Sequence, residues 1–338
     1  MQLGIAWKTL GNPQVASARY RALLPCRHLR AAGWPCEVYE PSRAAQYRLV
    51  IFQKVYDEET VRQVERLKAR GAKTAFDLCD NLFHYDLDDP PAAARRTEQL
   101  KRMIDAVDAV TVSTAALRDA VREATGRDDA FVIDDAVEVP RLNPLARGYY
   151  RLRGGLGPRG AESFRVVWYG IAGRANPRFG MIDLQKVLPA LSALHGDVPL
   201  SLTVISNSAE MFREYTRGAD FPVRYREWGR RSFPYHFEPH DVCVLPVSPN
   251  PLTLCKTSNR LLLSLMLGVP VVADRIPSYE EFAPFVRFGD WEQNLRAYAL
   301  DPDSRRRSVG EAREYIKTNY NKGRTVAQWS AFFKTLLG

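Results

Sequence analysis

Short apolar runs alternate along this chain with longer stretches whose apolar positions fall three or four residues apart. In the first half the runs are "LGIAW", "PCEVYE", "RLVIFQK", "KTAFDLCD", "AVTVS" and "AFVIDD", and the intervening stretches 17–32, 57–70, 94–106 and 114–124 have helical spacing. None of these strands needs an antiparallel partner. Residues 140–163, "PRLNPLARGYYRLRGGLGPRGAES", are rich in Pro, Gly and Arg without an apolar period, and they predict a boundary. The pattern then restarts with "FRVVWYG", "LSLTVIS", "VRYREW", "DVCVLPV" and "VPVVAD", with helices expected near 181–194, 208–217, 231–238 and 258–267. The last residues read as a helix, a break near Asn321 to Gly323, and a second helix with an apolar stripe of Val326, Trp329, Phe332, Phe333, Leu336 and Leu337. Strands alternating with helices imply parallel sheets flanked by helices, the α/β class.

At 338 residues the chain fits two domains of roughly 150 residues each. The expected domains are 1–150 and 164–320. Hydrophobic residues make up 46% and charged residues 26%, with no low-complexity tract, as in a soluble globular protein. No run approaches the ~20 apolar residues of a membrane span, and the start lacks a signal peptide's apolar core, so a cytoplasmic location is expected. Cys26, Cys36, Cys79, Cys243 and Cys255 form no CxxC pair and no Cys/His cluster at metal spacing, which fits free thiols and no bound metal. The aspartates at 86, 88, 134 and 135 fit turns better than metal ligation.

The net charge of +9 is unevenly spread. Residues 1–140 hold 20 Lys/Arg against 21 Asp/Glu, residues 141–163 hold 5 against 1, and residues 164–338 hold 23 against 17. Such a balance suits an anionic ligand or peripheral contact with an anionic membrane surface. Nucleic acid is not expected, because no interleaved basic-aromatic motif is present.

One segment, "KTSNRLLLSLMLGVPVVAD" at 256–274, places two cations at the start of an otherwise apolar helix and strand. Thr257 or Ser258 can cap the helix, Gly268 can end it, and Pro270 forbids its continuation. A helix N-terminus favours negative charge, so Lys256 and Arg260 oppose the local field and invite an anion. The alternative is a solvated face whose stems cover apolar surface. A second cation pair comes from "IAGRANPRFG" after the "VVWYG" strand, where Gly170 and Gly173 permit close backbone approach and Arg174 and Arg178 add charge. Cations converging on one sheet edge, with helix N-termini behind them, describe a diphosphate site. That charge pattern needs no metal.

"DVCVLPV" followed by "KTSNRLLLSLMLGVPVVADRIPSYEE" resembles the donor-binding segment of nucleotide-sugar glycosyltransferases of the GT-B fold, group-1 type, and "ASARYRALLPCRHLRAAGW" resembles their amino-terminal substrate loop and first helix. The resemblance implies two Rossmann-like domains facing across a cleft, with the helix 324–338 packing back on the first. It implies an enzyme that moves a sugar from a nucleotide-diphosphate sugar, its only expected small-molecule partner besides a glycan, lipid-linked or small-molecule acceptor. Arg174 and Lys256 would hold the donor diphosphate beside Thr257, Ser258, Asn259 and Arg260, while loops bearing Ser206, Asn207 and Trp228 would surround the nucleoside. The family's retaining members carry two glutamates eight positions apart; here those positions are Cys255 and Leu263. A thiol and an aliphatic chain cannot accept hydrogen bonds from a ribose as carboxylates do, and Asn259 is the nearest polar substitute.

Acceptor chemistry is expected in the first half. Arg19 and Arg21 fall at a loop-to-helix junction that Ser17 could cap, with an exposed basic face as the alternative. "FDLCDNLFHYD" delivers Asp80, Asn81 and His84 beyond a buried strand. If the reaction inverts, Asp80 is the candidate to remove the acceptor proton; if it retains, the departing diphosphate can do so and Asp80 would orient a sugar hydroxyl. An epimerase or hydrolase, or a catalytically silent sugar-nucleotide binding partner, remains open.

Overall fold

The computed structural model describes residues 4–9, 13–85, 87–154 and 163–338, which form two compact units. Gly11, Asn12, Asp86 and the linker residues 155–162 lie outside the described residues. The first unit comprises residues up to Glu138 with Leu254–Thr257 and Asn319–Gly338; the second comprises Val139–Thr253 and Ser258–Thr318.

The first unit is built on six parallel strands, β1 (Gly4–Lys8), β2 (Cys36–Val38), β3 (Tyr47–Gln53), β4 (Lys73–Leu78), β5 (Ala109–Val112) and β6 (Phe131–Val132), in the order β2-β1-β3-β4-β5-β6. Side chains alternate across this sheet, and both faces are apolar because helices cover both. Val50 and Phe52 of β3 meet Val64 and Leu67 of the Glu58–Ala69 helix and Leu100 and Met103 of the Pro90–Ala106 helix. Leu49 and Ile51 face the opposite cluster, where Trp7 and Leu29 join Trp329, Phe332 and Phe333 of the Lys322–Leu337 helix. That last helix starts where Asn321 accepts the Arg324 backbone N–H, one residue inside the expected break.

The second unit repeats the plan with β7 (Phe164–Tyr169), the short antiparallel pair β8 (Gly173–Ala175) and β9 (Arg178–Gly180), β10 (Leu200–Ser206), β11 (Val223–Glu227), β12 (Val242–Leu245), β13 (Val271–Ala273) and β14 (Arg287–Phe288). The main sheet is parallel with order β11-β10-β7-β12-β13-β14, so strand order reverses between β7 and β12. In such sheets ligands bind beyond the carboxyl ends of the strands at the reversal.

Three elements depart from the pattern reading. The loop after β7 is a hairpin, and its two glycines stand back to back: Gly173 has φ +76°, and a Cβ there would lie 1.9 Å from the Phe179 carbonyl oxygen. The hairpin's own packing thus requires a glycine at 173. A helix, Pro144–Gly154, occupies the stretch expected to be irregular. It is held by particular contacts: Asn143 Oδ1 accepts the backbone N–H of Leu145 at 2.9 Å, Tyr150 stacks on Tyr235 at 5.0 Å, and Arg147 pairs with Glu238. The first helical segment runs from Ala16 to Ala31 with a π-helical turn at Arg19–Leu23, and Val15, not Ser17, precedes it.

Candidate active site

At the β7/β12 reversal of the second unit, the polypeptide beyond β7 is a supported scaffold. The Ser206 hydroxyl donates to the Gly170 carbonyl at 2.8 Å, and Asn207 Oδ1 accepts the Ala172 N–H at 2.8 Å. Both residues lie at the end of β10, so they hold the 170–172 backbone in place. Trp228, half-buried just past β11, donates its backbone N–H to the Ser206 carbonyl at 2.7 Å. Gly170 is closely surrounded here: a Cβ would sit 3.0 Å from the Trp168 ring and 3.2 Å from Arg260 Nη1, so one of these side chains would have to shift.

Arg260 therefore reaches the end of β7. Its Nη1 donates to the Tyr169 carbonyl at 3.2 Å, while the Tyr169 hydroxyl donates to the Arg260 carbonyl at 2.7 Å. Arg260 is the second residue of the Asn259–Met266 helix, whose amino end begins at the buried Ser258 without a side-chain cap. Beside it, Asp274 after β13 accepts the Val247 N–H at 2.8 Å and pairs with Lys186 at 2.5 Å, bracing the loop beyond β12. Arg174 lies half-buried on β8. Arg178, on β9, donates to Asp183 at 3.3 Å and to the Ile182 carbonyl at 2.8 Å, so it ties the hairpin to the following turn. Asp183 is buried, and Ser248 donates to the same Oδ1 oxygen at 2.6 Å.

Lys256 and Thr257 belong to the first unit. There Asp80, just past β4, lies between two ammonium groups: Lys54 Nζ at 2.6 Å on Oδ2, and Lys256 Nζ on Oδ1. Thr114 donates to the Cys255 carbonyl at 3.1 Å, and the buried Asn81 amide faces the Cys255 sulfur at 3.8 Å. Burial of the thiol pushes the Cys255 pKa up to about 11, so it is neutral and takes no carboxylate's role. Lys54 was not anticipated. Its signal was a lysine closing the buried run "RLVIFQK", and its backbone is left-handed with φ 55°.

Burial alone would raise the Asp80 pKa, but Lys256 and Lys54 outweigh it and hold the carboxyl well below the usual range. A carboxylate so stabilised is a weak base, which argues against Asp80 as the proton acceptor of an inverting reaction. The depressed pKa also links Asp80 to stability: its contribution is full above the ordinary carboxylate pKa near 4 and is lost as pH falls below it. Between pH 5 and pH 3 the parent is expected to lose about 1 kcal/mol more stability than Asp80→Asn, read from denaturant melts of both at each pH. Equal losses would show that Asp80 is not held in this way.

His84 is exposed on the short Leu82–His84 turn. Arg19 and Arg21 do not form the exposed basic face that was the alternative, since both are buried. Arg19, 5% exposed, pairs with Glu138 at 3.0 Å and donates to the Pro13 and Gln14 carbonyls. Arg21 is fully buried, with Nη2 on Asp77 Oδ1 at 2.5 Å, and Thr111 also donates to that oxygen at 2.6 Å. The π-helical turn carries both arginines inward, a backbone detail that an ideal helical period does not show.

No protein-family model matches the chain, and none of the curated proteins matches it in sequence. Its fold, however, is shared over nearly its whole length. The structure of HepE from Anabaena in complex with UDP and glucose aligns with a TM-score of 0.70 at 14% identity, covering 99% of this chain and 100% of that one. A glycosyltransferase from Rickettsia africae aligns with a TM-score of 0.70 at 10% identity, covering 99% of each chain. WaaG, a glycosyltransferase involved in lipopolysaccharide biosynthesis, aligns at 0.63 and 13% identity, covering 96% of this chain and 98% of its own. This protein has the GT-B fold, with two Rossmann-like parallel sheets in succession. Among the described residues no helix is long and apolar enough to cross a membrane.

Proposed function

We propose that the protein is a glycosyltransferase that moves a sugar from a nucleotide-diphosphate sugar to a hydroxyl of a glycan, lipid-linked or small-molecule acceptor. The observation that carries this reading is the β7/β12 reversal, where the braced backbone at 170–172, the Arg260 guanidinium and the amino end of the Asn259–Met266 helix meet. Backbone, guanidinium and helix dipole together suit a diphosphate. That HepE was solved with UDP, with UDP and glucose, and with UDP-glucose supports the same ligand class here.

The chemistry asks little covalent work of the protein. Breaking the sugar–phosphate bond builds negative charge on the leaving diphosphate, and donors already in place stabilise it. Arg260, Arg174 and Lys256 are the cations assigned to that charge, with Trp228 and the Ser206–Asn207 turn beside the nucleoside. Asp80 is suited to accept a hydrogen bond from a sugar hydroxyl rather than to take its proton. The departing diphosphate is then the base for the acceptor, which favours retention of configuration.

A calorimetric screen of UDP, GDP, ADP and CMP tests the reading. One nucleoside diphosphate should bind, and its affinity should be unchanged in EDTA, since the assigned neutralising charges are cationic side chains. Binding abolished by EDTA and restored by magnesium or manganese would count against the assignment, and no binding of any diphosphate would end it. Release of free sugar without an acceptor would mark a hydrolase instead.

A further inference from the structure

Asp80 is shared between two ammonium groups that differ in their freedom. The Lys54 side chain is 23% exposed and extends from a backbone fixed in the left-handed region, whereas the Lys256 side chain is 35% exposed. We propose that Asp80 is a built-in counter-ion that competes with the substrate's diphosphate for Lys256, and that Lys54 makes the exchange possible by keeping Asp80 compensated when Lys256 leaves it. The inference rests on the reading of Lys256 as a diphosphate cation.

The physical reason lies in what each state leaves unpaired. A carboxylate removed from water and stripped of its only partner is strongly unfavourable, so a simple Lys256–Asp80 pair would resist opening. With Lys54 at 2.6 Å on the second oxygen, departure of Lys256 leaves a paired carboxylate behind. The Cys79 thiol, 3.7 Å from the same oxygen, adds a weak donor on that side. A diphosphate offers Lys256 more charge than a carboxylate already divided between two cations. Without ligand, Asp80 holds the Lys256 ammonium in one place. With ligand, Asp80 remains on Lys54.

The signs of three substitutions test this, with UDP as the probe and calorimetry as the readout. Asp80→Asn removes the competitor, so UDP should bind about two- to fivefold more tightly, the worth of a partly exposed ion pair. In a Lys256→Met background the same substitution should give no gain; a gain that persists there would mean a general charge effect and overturn the proposal. Lys54→Met gives Asp80 wholly to Lys256, so UDP binding should weaken by a similar factor, and Lys54→Met with Asp80→Asn should restore it. Weaker or unchanged binding by a folded Asp80→Asn protein, with melting curves as the check on folding, would overturn the proposal. If Asp80→Asn does not fold, Lys54→Met decides alone, and unchanged affinity sinks the idea. Unchanged UDP affinity in Lys256→Met alone would defeat the diphosphate reading of Lys256 and this inference with it, whereas a loss there with no gain from Asp80→Asn would defeat this inference only.

Discussion

Replacing Trp329 with alanine will lower the stability of the first unit by about 3–5 kcal/mol, the range found when a large buried aromatic is truncated in a packed core. Trp329 is fully buried, edge-on to Trp7 at 5.3 Å and beside Phe333 at 5.9 Å. Its ring also lies 5.8 Å from the Arg21 guanidinium, so the substitution opens a cavity against a buried cation as well as an apolar face. Removing residues 324–338 altogether would uncover Trp7, Leu29 and Ile51 in addition and should give insoluble protein. Denaturant melts of Trp329→Ala beside the parent check the smaller change. An unshifted midpoint would mean that the helix contributes nothing to the unit it joins.

Lys256→Met keeps an apolar stem and removes only the charge, and it is expected to lower turnover about 10²–10³-fold, or roughly 3–4 kcal/mol, as loss of one donor to developing charge does elsewhere. Folding should change by no more than about 1 kcal/mol, because Lys54 still compensates Asp80 and the lost pair is partly exposed. The nucleoside diphosphate should lose more affinity than the monophosphate, since the distal phosphate carries the contact. If Lys256 were only part of a solvated face, both affinities would stay within about half a kcal/mol of the parent. Equal diphosphate affinities in the two proteins would remove Lys256 from the site.

The parallel strands of both units were legible because buried strands read as short, mainly apolar runs, as in "FRVVWYG" and "KTAFDLCD". The short β14 and the hairpin of β8 and β9 were not legible, since two or three residues carry no period. The Pro144–Gly154 helix was missed for a different reason: its support comes from Tyr235 and Glu238, far along the chain. At the site, glycines and cations after β7 and before the 259–266 helix located the sheet edge, but not what each side chain does there. Arg178 and Arg260 look alike in sequence; one meets Asp183 and the other a backbone carbonyl beside Gly170. The partner of Lys256 was equally hidden, because Asp80 lies 176 positions away. Arg21 went inward because Asp77, a carboxylate on the buried part of β4, waits there to receive it.

The discontinuity of the first unit sets an order of events during synthesis. Its sheet is complete in sequence by β6, yet the helix that closes one face begins at Lys322, after the whole of the second unit has been made. A nascent chain therefore carries a half-covered sheet through the period in which residues 139–318 emerge, exposing Trp7 and Ile51 to other apolar surfaces. Contacts such as Trp7 with Trp329 close a very long loop, which slows their formation and leaves the second unit to fold first. Pulsed hydrogen exchange during refolding should show strand β7 protected before strand β1. The same delay makes the Lys322–Leu337 helix a control point for chaperones, because its arrival is what withdraws the sheet from them.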